Sequence, residues 1–420
     1  MRIVVLSLHT SPAAQPGTGD AGGLNVYVSH TAAQLVRAGH SVDILTADPA
    51  AAGRTDAVEL GEGVRLHTLA VDATTKDEMG GEAAQIARRI AADDELGALL
   101  RDADVIWAHY WVSGLVACEL RDLTPTRDPA LAMSFHTIAA VKDRDLEEAR
   151  EPAERLAAER RIAATADILL ANTASEARDM AALLDADPRR IRVVPPGVDT
   201  DTFRPGPLQD ARRAIGAEDA DLLVLGVGRM QYVKGTDILL DALAQFAATE
   251  PVLAGRTRIV MLGGASGEAD AAGMQELAAA SAAGSLIEFR DPVPARVLAD
   301  WYRAADLVVV PSRSESFGFV AAEAVASGTP VLASQVGGLA HIVRPGESGV
   351  LIADRSPYTW ADTIAALLAD PAQRARLAAG AIELRGELSW ETAEAGMLEV
   401  LTELASRRDR RAATEGEAHE

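Results

Sequence analysis

The stretch "DLLVLGVGRMQYVKG" (221–235) joins an apolar run that ends in glycine to a polar segment with two fixed positive charges. The run 221–228 is typical of a buried strand, and the residues after it are typical of a turn into a helix. Arg229 and Lys234 therefore follow a strand, about one helical turn apart at the start of the predicted helix. Ligands bind at this edge of an α/β sheet, so the stretch predicts both a fold class and a site.

A second polar segment, "SRSESFGFVAAEAVASGTP" (312–330), follows the strand-like run "DLVVVP" (306–311). It carries Glu315 and Glu323, two carboxylates separated by seven residues. Glu323 falls inside a mostly apolar predicted helix, where a carboxylate needs a partner such as a ribose hydroxyl. Cations neutralise a pyrophosphate and carboxylates accept hydrogen bonds from sugar hydroxyls, so the two segments together indicate a sugar-diphosphate site.

Short Val/Ile/Leu runs alternate with longer amphipathic stretches along most of the chain, and the pattern starts anew after residue 220. Such alternation predicts parallel sheets with helices on both faces, the doubly wound α/β class. Predicted strands lie at 2–7, 41–46, 64–70, 104–108, 131–135 and 167–171, then at 221–228, 258–264, 286–289, 306–311 and 330–334. Predicted helices lie at 23–38, 82–101, 153–165 and 173–184.

With 420 residues, the chain is long enough for two domains. The segment 193–207 is rich in Pro, Gly and Asp and is the best linker candidate. We therefore predict two Rossmann-like domains that face each other across a cleft. The predicted divisions are 1–198 for the first domain, 199–389 for the second, a helix at 390–407 that packs back on the first, and a disordered tail at 408–420.

The composition limits the partners and the compartment. A formal net charge of −22 argues against nonspecific binding to nucleic acid or to an anionic membrane. Cys118 is the single cysteine, so no intrachain disulfide can form. The N-terminus has no secretory pattern and no apolar run reaches transmembrane length, so we expect a cytoplasmic protein without a membrane span.

Three segments of the first half follow predicted strands and carry polar residues. The first, 7–28, is rich in Gly and Pro and ends in "GGLNVYV", where free N–H groups at a helix start could hold phosphate; an ordinary tight turn is the alternative. The others, "AHYWVSGL" (108–115) and "SFHTIAAVKD" (134–143), place His109 and His136 at the same sheet edge. We interpret His136 as functional and His109 as supporting.

These segments resemble the retaining family-4 glycosyltransferases of GT-B architecture, whose signature is the E-x(7)-E pair formed here by Glu315 and Glu323. The resemblance runs over nearly the whole chain. The N-terminal segments are similar to those of the D-inositol-3-phosphate glycosyltransferases of mycothiol biosynthesis. The resemblance implies transfer of N-acetylglucosamine from UDP-N-acetylglucosamine to inositol phosphate with retention of configuration, and it makes a homodimer plausible.

The resemblance also implies roles for individual residues. Catalysis would depend on Arg229, Lys234, Glu315 and His136. The UDP-sugar would contact His9, Gln15, Pro16, Gly23, Arg229, Lys234, Val293, Glu315 and Glu323. The inositol phosphate would contact Asp20, Ala21, Gly22, Gly23, Leu24, Asn25, Lys76, Tyr110, Thr137 and Arg155. A magnesium ion, structural or not, would take Thr329 and the carbonyls of Tyr302, Arg303 and Ala305.

The residues themselves support a phosphate-bearing acceptor. Lys76 and Arg155 would set two positive charges beside the hydroxyls of Tyr110 and Thr137, an unusual group in an acidic protein. The segment 143–155 is acidic and departs from the family pattern, so a change of acceptor there is an open alternative.

Two other functions remain open at this point. One is a family-4 glycosyltransferase with another donor or acceptor, such as a phosphatidylinositol mannosyltransferase or a relative of sucrose-phosphate synthase. A lipid acceptor would call for a basic or apolar amphipathic surface, and the predicted helix 23–38 is only modestly amphipathic. The other is a sugar-binding protein without turnover, since two doubly wound domains also describe such proteins.

If Arg229 stabilises a departing diphosphate, Arg229→Ala should lower kcat by orders of magnitude, because the negative charge on the leaving group grows in the transition state. Steady-state kinetics with UDP-N-acetylglucosamine measure this effect. A kcat near that of the unchanged protein would remove Arg229 from the proposed phosphate clamp.

Overall fold

A computed structural model describes residues 1–17, 21–51, 57–123, 129–146, 151–217, 221–264 and 286–417, with the backbone alone for 407–417. The chain divides into two compact units. The first unit consists of Met1–Ala14, Gly23–Pro195 and Ala393–Glu420, and the second consists of Gln15–Gly22 and Pro196–Thr392. The division of acceptor binding to 1–198 and donor binding to 199–389 remains a prediction.

The first unit is built on an eight-stranded sheet in the order β3-β4-β2-β1-β5-β6-β7-β8. All neighbouring strands run parallel except the edge pair β3 and β4. Strands β1 and β5 to β7 are almost entirely buried, which explains their continuous apolar sequences. The strands are β1 (Arg2–Leu6), β2 (Ser41–Asp48), β3 (Val58–Gly61), β4 (Val64–Ala70), β5 (Val105–His109), β6 (Ala130–Ser134), β7 (Ile168–Ala171) and β8 (Ile191–Val193).

Helices connect these strands and cover the sheet. They are α1 (Gly23–Arg37), α2 (Lys76–Gly81), α3 (Ala83–Ala92), α4 (Asp94–Asp102), α5 (Tyr110–Leu123), α6 (Ala139–Asp145), α7 (Ala153–Thr165) and α8 (Ala174–Leu183). The single helix predicted at 82–101 is wrong, because the chain forms α3 and α4 there. Asp93 ends the first and caps the second, and its carboxylate accepts the N–H groups of Glu95 and Leu96.

The second unit has a six-stranded parallel sheet in the order β11-β10-β9-β12-β13-β14. Apolar side chains pack on both faces of it in two clusters. The strands are β9 (Leu222–Val227), β10 (Thr257–Leu262), β11 (Ile287–Arg290), β12 (Leu307–Val310), β13 (Val331–Ser334) and β14 (Gly349–Ile352). The helices are α9 (Leu208–Ala214), α10 (Thr236–Thr249), α11 (Pro251–Ala254), α12 (Ala295–Ala304), α13 (Phe319–Ala326), α14 (Leu339–Ile342), α15 (Pro357–Ala369) and α16 (Pro371–Leu384).

The last helix, α17, runs from Trp390 to Glu417. It extends past 407 into the segment for which the sequence predicts disorder, a difference explained by the Glu, Arg and Ala residues there, which favour helix. Within the first unit, Glu403 pairs with Arg192 at 3.5 Å. Among the described residues, no helix is both long and apolar enough to cross a membrane.

Each sheet has a point at which the strand order reverses. In the first unit, β1 lies between β2 and β5, and in the second, β9 lies between β10 and β12. The connections leave such a pair of strands in opposite directions, so a crevice forms at their carboxyl ends. The predicted site residues follow these six strands or their neighbours, which gives the fold a direct bearing on function.

Glu323 lies in α13, in the interior of the second unit, and is 9% exposed. The sequence predicts a ribose hydroxyl as its partner, but its carboxylate accepts a hydrogen bond from the Tyr302 hydroxyl at 2.8 Å. Burial raises the pKa of Glu323 to about 7; the hydrogen bond from Tyr302 lowers it and the carboxylate of Asp199 raises it. The folded protein therefore holds a proton on Glu323 that the unfolded chain releases at lower pH.

Because the pKa of Glu323 is raised on folding, stability should fall as the pH rises from about 4.5 to about 7. The contribution is up to about 3 kcal/mol, at 1.36 kcal/mol for each pKa unit. Glu323→Gln should remove this dependence, so the free energies of unfolding of the two proteins should converge or cross between pH 5 and pH 8. Urea titrations at both pH values measure it, and parallel curves would mean that Glu323 has an ordinary pKa.

Candidate active site

The loop after β9 carries the two cations predicted to bind the diphosphate. Arg229 lies in the loop, and Lys234 ends a short 3-10 turn, Tyr232–Lys234, rather than lying inside a helix. Gly235 follows at φ +69°, and a Cβ there would lie 2.0 Å from the Pro311 carbonyl oxygen. Only glycine fits this position, so the backbone itself fixes where Lys234 stands relative to α10.

Lys234 and Glu315 meet across two loops. The Lys234 Nζ lies 2.7 Å from Glu315 Oε2, and the Ser312 hydroxyl donates to the same oxygen at 3.3 Å. Both charged side chains keep some exposure, 31% and 17%. The structure thus brings together one residue from the loop after β9 and one from the loop after β12, at the strand reversal of the second sheet.

Arg313 joins the same two loops, although the sequence did not predict it as a site residue. Its guanidinium binds the Asp237 carboxylate through two hydrogen bonds of 2.6 and 2.5 Å and stacks 3.7 Å from the centre of the Tyr232 ring. It also donates to the Tyr232 carbonyl at 2.8 Å, and its own N–H donates to the Val233 carbonyl at 2.8 Å. Arg313 is only 6% exposed, so it holds the loop of Lys234 from inside.

The segment Gln15–Gly22 belongs to the second unit. A Cβ on Gly22 would lie 3.8 Å from Nη2 of Arg229, and one on Gly17 would lie 3.1 Å from Pro292. Gly17, which follows Gln15 and Pro16, therefore lies beside the residue before Val293, and Gly22, which follows Ala21, lies near Arg229. Asp20, another predicted acceptor contact, lies outside the described residues.

The predicted magnesium ligands lie where α12 ends. The Tyr302 carbonyl accepts the Thr329 hydroxyl at 2.7 Å and the Ala305 N–H at 3.1 Å. Carbonyls at the end of a helix and a hydroxyl form an all-oxygen set, and Arg303 would add another carbonyl, which fits a hard cation. The set has no carboxylate, and nowhere in the described ranges do three or more His, Cys, Asp or Glu side chains gather to hold a metal.

In the first unit, two of the predicted site residues have strained backbones. Tyr110 has φ +70° directly after β5, and His136 has φ +60° shortly after β6. Non-glycine residues adopt this left-handed conformation rarely, and it is enriched at functional sites. Both residues lie at the carboxyl edge of the sheet, where the left-handed backbone sets the direction of each side chain.

The buried His109 and the half-buried His136 form a pair. His109 Nδ1 and His136 Nε2 are 2.9 Å apart, and the rings stack with centroids 5.2 Å apart. Burial lowers the pKa of His136 to about 3; for His109, burial and then the neighbouring His136 lower the pKa well below its usual value. Both rings are therefore neutral at pH 7, and the lowered pKa makes each a weak base, so they suit hydrogen bonding better than proton abstraction.

Three of the predicted acceptor residues form one cluster. The Arg155 guanidinium donates to the Thr137 hydroxyl at 3.1 Å and to its carbonyl at 3.3 Å. It also lies 5.1 Å from the centre of the Tyr110 ring. The His9 ring packs on the same tyrosine, with the two ring centroids 4.2 Å apart. Arg155 is 1% exposed.

Carboxylates and a second cation complete this cluster. Glu159 accepts from Nε of Arg155 at 2.8 Å, and Glu151 accepts from Nη1 at 2.6 Å. Lys142 also binds the Glu151 carboxylate. The structure therefore groups Arg155 with Lys142, whereas Lys76 is exposed at the start of α2 and has no ion pair to the cluster within the described ranges.

The remaining predicted residues are spread around these two sites. Asn25 is buried and donates to the Thr10 hydroxyl at 3.0 Å and to the Ser11 carbonyl at 2.6 Å, so it fixes the loop after β1. Gly23 begins α1, and Leu24 packs on the core of the first unit. Val293 packs on a core cluster of the second unit.

Sequence reasoning missed Arg313, Glu151 and Glu159 as parts of the candidate site. Arg313 had a usable signal, because it stands two residues before Glu315 at the end of a predicted strand. Glu151 and Glu159 also had one, since they lie four residues on either side of Arg155 and can meet it on one helical face. Their pairing with Lys142 depends on the fold and has no local signal.

Two family comparisons cover most of the chain. Residues 22–197 match the family described as "Glycosyl transferase 4-like domain", and residues 209–384 match "Glycosyl transferases group 1". Among solved structures, a sucrose-phosphate synthase from Thermosynechococcus elongatus is 28% identical with a TM-score of 0.83, covering 96% of this chain and 99% of that one. Anabaena HepE in complex with UDP and glucose shares the fold at a TM-score of 0.73 and 17% identity, covering 96% and 99% of the chains.

Curated relatives agree in name over nearly the full length. A D-inositol 3-phosphate glycosyltransferase of Thermomonospora curvata is 42% identical and covers 96% of this chain and 95% of its own. One from Nocardioides is 41% identical and covers 93% of this chain and 87% of its own. The fold is GT-B, and the sequence-based prediction of a glycosyltransferase is confirmed. With this identity over this length, the chain belongs to the D-inositol 3-phosphate glycosyltransferase family.

Proposed function

We propose that this protein transfers N-acetylglucosamine from UDP-N-acetylglucosamine to 1D-myo-inositol 3-phosphate, with retention of configuration, in the first step of mycothiol biosynthesis. The observation that carries the proposal is the buried Arg155, held against Thr137 and Tyr110 in a chain whose relatives bear the name of this activity. A fixed guanidinium beside two hydroxyl-bearing residues suits a phosphate ester.

The donor binds to the second unit. Arg229 and Lys234 neutralise the diphosphate, and Glu315, held by Lys234 at 2.7 Å, accepts hydrogen bonds from sugar hydroxyls. Glu323 binds ribose in this proposal, which requires its carboxylate to accept a second donor beside the Tyr302 hydroxyl. A carboxylate has lone pairs for both, so the two roles are compatible.

Transfer follows a front-side route. UDP leaves while an oxygen of its β-phosphate takes the proton of the acceptor hydroxyl, and that hydroxyl oxygen bonds to the anomeric carbon on the same face. Arg229 and Lys234 stabilise the charge that grows on the diphosphate. The neutral, half-buried His136 holds a sugar hydroxyl by hydrogen bonding, since its low pKa makes it a weak base.

The all-oxygen set of Tyr302, Arg303, Ala305 and Thr329 holds Mg²⁺ in this proposal. The ion would bind the end of α12 to the loop before β13 and so stabilise the second unit, without taking part in the transfer. The family resemblance also implies a homodimer.

A second candidate acceptor has a specific observation in its favour. The sucrose-phosphate synthase matches this chain at a TM-score of 0.83, and the name of that enzyme describes a sugar phosphate product. A different sugar phosphate could use the same guanidinium and hydroxyl groups, so the acceptor test needs one.

The test mixes the purified protein with UDP-N-acetylglucosamine and measures UDP release with one of three acceptors: 1D-myo-inositol 3-phosphate, myo-inositol or fructose 6-phosphate. We expect kcat/KM for inositol phosphate to exceed that for myo-inositol by about 100-fold or more, because myo-inositol lacks the phosphate that the Arg155 guanidinium would bind. NMR of the product should show the retained α-anomer.

Preference for fructose 6-phosphate would assign the second candidate. UDP release that does not depend on any acceptor, or binding without release, would contradict transfer to an acceptor altogether. GDP-mannose serves as the control donor, and turnover with it in place of the UDP-sugar would contradict the proposed donor.

A further inference from the structure

Arg155 is paired with two carboxylates, although one would balance its charge. Its guanidinium is paired at once with Glu159, at 2.8 Å through Nε, and with Glu151, at 2.6 Å through Nη1. Lys142 binds the same Glu151 carboxylate. The four charges of this cluster cancel, so the proposed acceptor site presents no net positive charge from these residues while Glu151 is in place.

The two carboxylates are held very differently. Glu159 lies inside α7, has a side chain with 0% exposure, and accepts the Ala139 N–H at 2.8 Å. Glu151 precedes α7 and its side chain is 12% exposed. Glu159 is therefore a fixed part of the interior, whereas Glu151 reaches the cluster from its edge and can be replaced there by another anion.

Arg155 does not depend on Glu151 for its orientation. Glu159 fixes Nε, and the Thr137 hydroxyl and carbonyl accept from Nη2 at 3.1 and 3.3 Å. Without Glu151, two of the three nitrogens of the guanidinium keep their partners. Nη1 and the Lys142 ammonium would then face one vacated position.

The Glu151 carboxylate stands in for a phosphate. It takes a hydrogen bond from the guanidinium on Oε2 and one from the ammonium on Oε1, as two oxygens of a phosphate would. Burial raises the pKa of Glu151, but Arg155 and Lys142 outweigh burial and hold the pKa below its usual value. The group is therefore an anion at neutral pH and competes with any other anion for the same donors.

We propose that Glu151 is a specificity-determining residue: its carboxylate occupies the place of the acceptor phosphate on Arg155 and Lys142, and only an anion that binds both cations more tightly displaces it. A doubly charged phosphate ester meets this condition, whereas weaker anions do not. This inference rests on the proposed function for the identity of the acceptor, but the competition itself does not depend on it.

Inorganic phosphate is the probe that tests the competition with Glu151 separately from the identity of the acceptor. Its binding to the purified full-length protein is measured by isothermal titration calorimetry for the unchanged protein, Glu151→Gln and Glu154→Gln. Glu154 is exposed and three residues away, so its variant makes the same change of net charge without touching the cluster. We expect Glu151→Gln to bind phosphate about tenfold more tightly, and Glu154→Gln to bind it as the unchanged protein does.

The same variants are compared in the transfer assay. Glu151→Gln should lower the KM for inositol phosphate and leave the KM for the UDP-sugar unchanged, and inorganic phosphate should inhibit it more strongly than it inhibits Glu154→Gln. Glu151→Asp, which keeps the charge but shortens the side chain, should fall between the unchanged protein and Glu151→Gln, and it provides the test if Glu151→Gln folds poorly by circular dichroism.

Phosphate binding by Glu151→Gln that is equal to or weaker than that of Glu154→Gln would overturn the inference and assign Glu151 to holding Arg155 in place. Tighter phosphate binding without any transfer to inositol phosphate would support the competition and contradict the proposed acceptor. Transfer to inositol phosphate with unchanged phosphate binding would support the proposed acceptor and contradict the competition.

Discussion

Two parallel strands can be joined only by a crossover connection. Successive crossovers add strands toward one edge of the sheet, and the chain must then return to the middle before it can add strands toward the other edge. In this protein the chain returns at β5, beside β1, and at β12, beside β9. The carboxyl ends beside these strands are the places where connections diverge and backbone groups stay accessible. The residues proposed for binding follow those ends, so the order of the strands determines where the binding loops lie, whichever side chains they carry.

Within that frame, Lys234, Arg155 and Lys142 are held by carboxylates before any substrate arrives. Lys234 is paired with Glu315, and Arg155 with Glu159 and Glu151. Arg313 repeats the pattern one layer deeper, where Asp237 fixes it under the loop of Lys234. In a chain with a net charge of −22, such pairing keeps these cations oriented before an anionic ligand binds.

The sequence predicts the fold well where strands are buried on both faces, as with β1, β5 and β9, because their apolar runs are continuous. It does not predict β3 (Val58–Gly61) or β8 (Ile191–Val193), which are short and lie at sheet edges with exposed or half-buried side chains. The break at Asp93 was also missed, because a capping aspartate inside a helical pattern looks like an ordinary polar position.

For the candidate site, strand ends and glycines located the loops of Arg229, Lys234 and Glu315 correctly. The partners of those residues could not be found in the same way. The pairing of Glu323 with Tyr302 and of Lys142 with Glu151 joins residues whose contact depends on tertiary packing. A linear pattern shows which residue types are available, but the choice between a ligand and a neighbouring side chain as partner is made by the fold.

The left-handed backbones of Tyr110 and His136 bear on how this protein can be changed. Glycine at either position would relieve about 1 kcal/mol or more of backbone strain. At Tyr110 it would also remove a ring packed in the core of the first unit, which costs about 3 kcal/mol or more, so folding alone favours tyrosine there. At the half-buried His136 the relief of strain would come with the loss of the imidazole at the sheet edge. Selection for thermal stability and selection for turnover should therefore act in opposite directions at His136 alone.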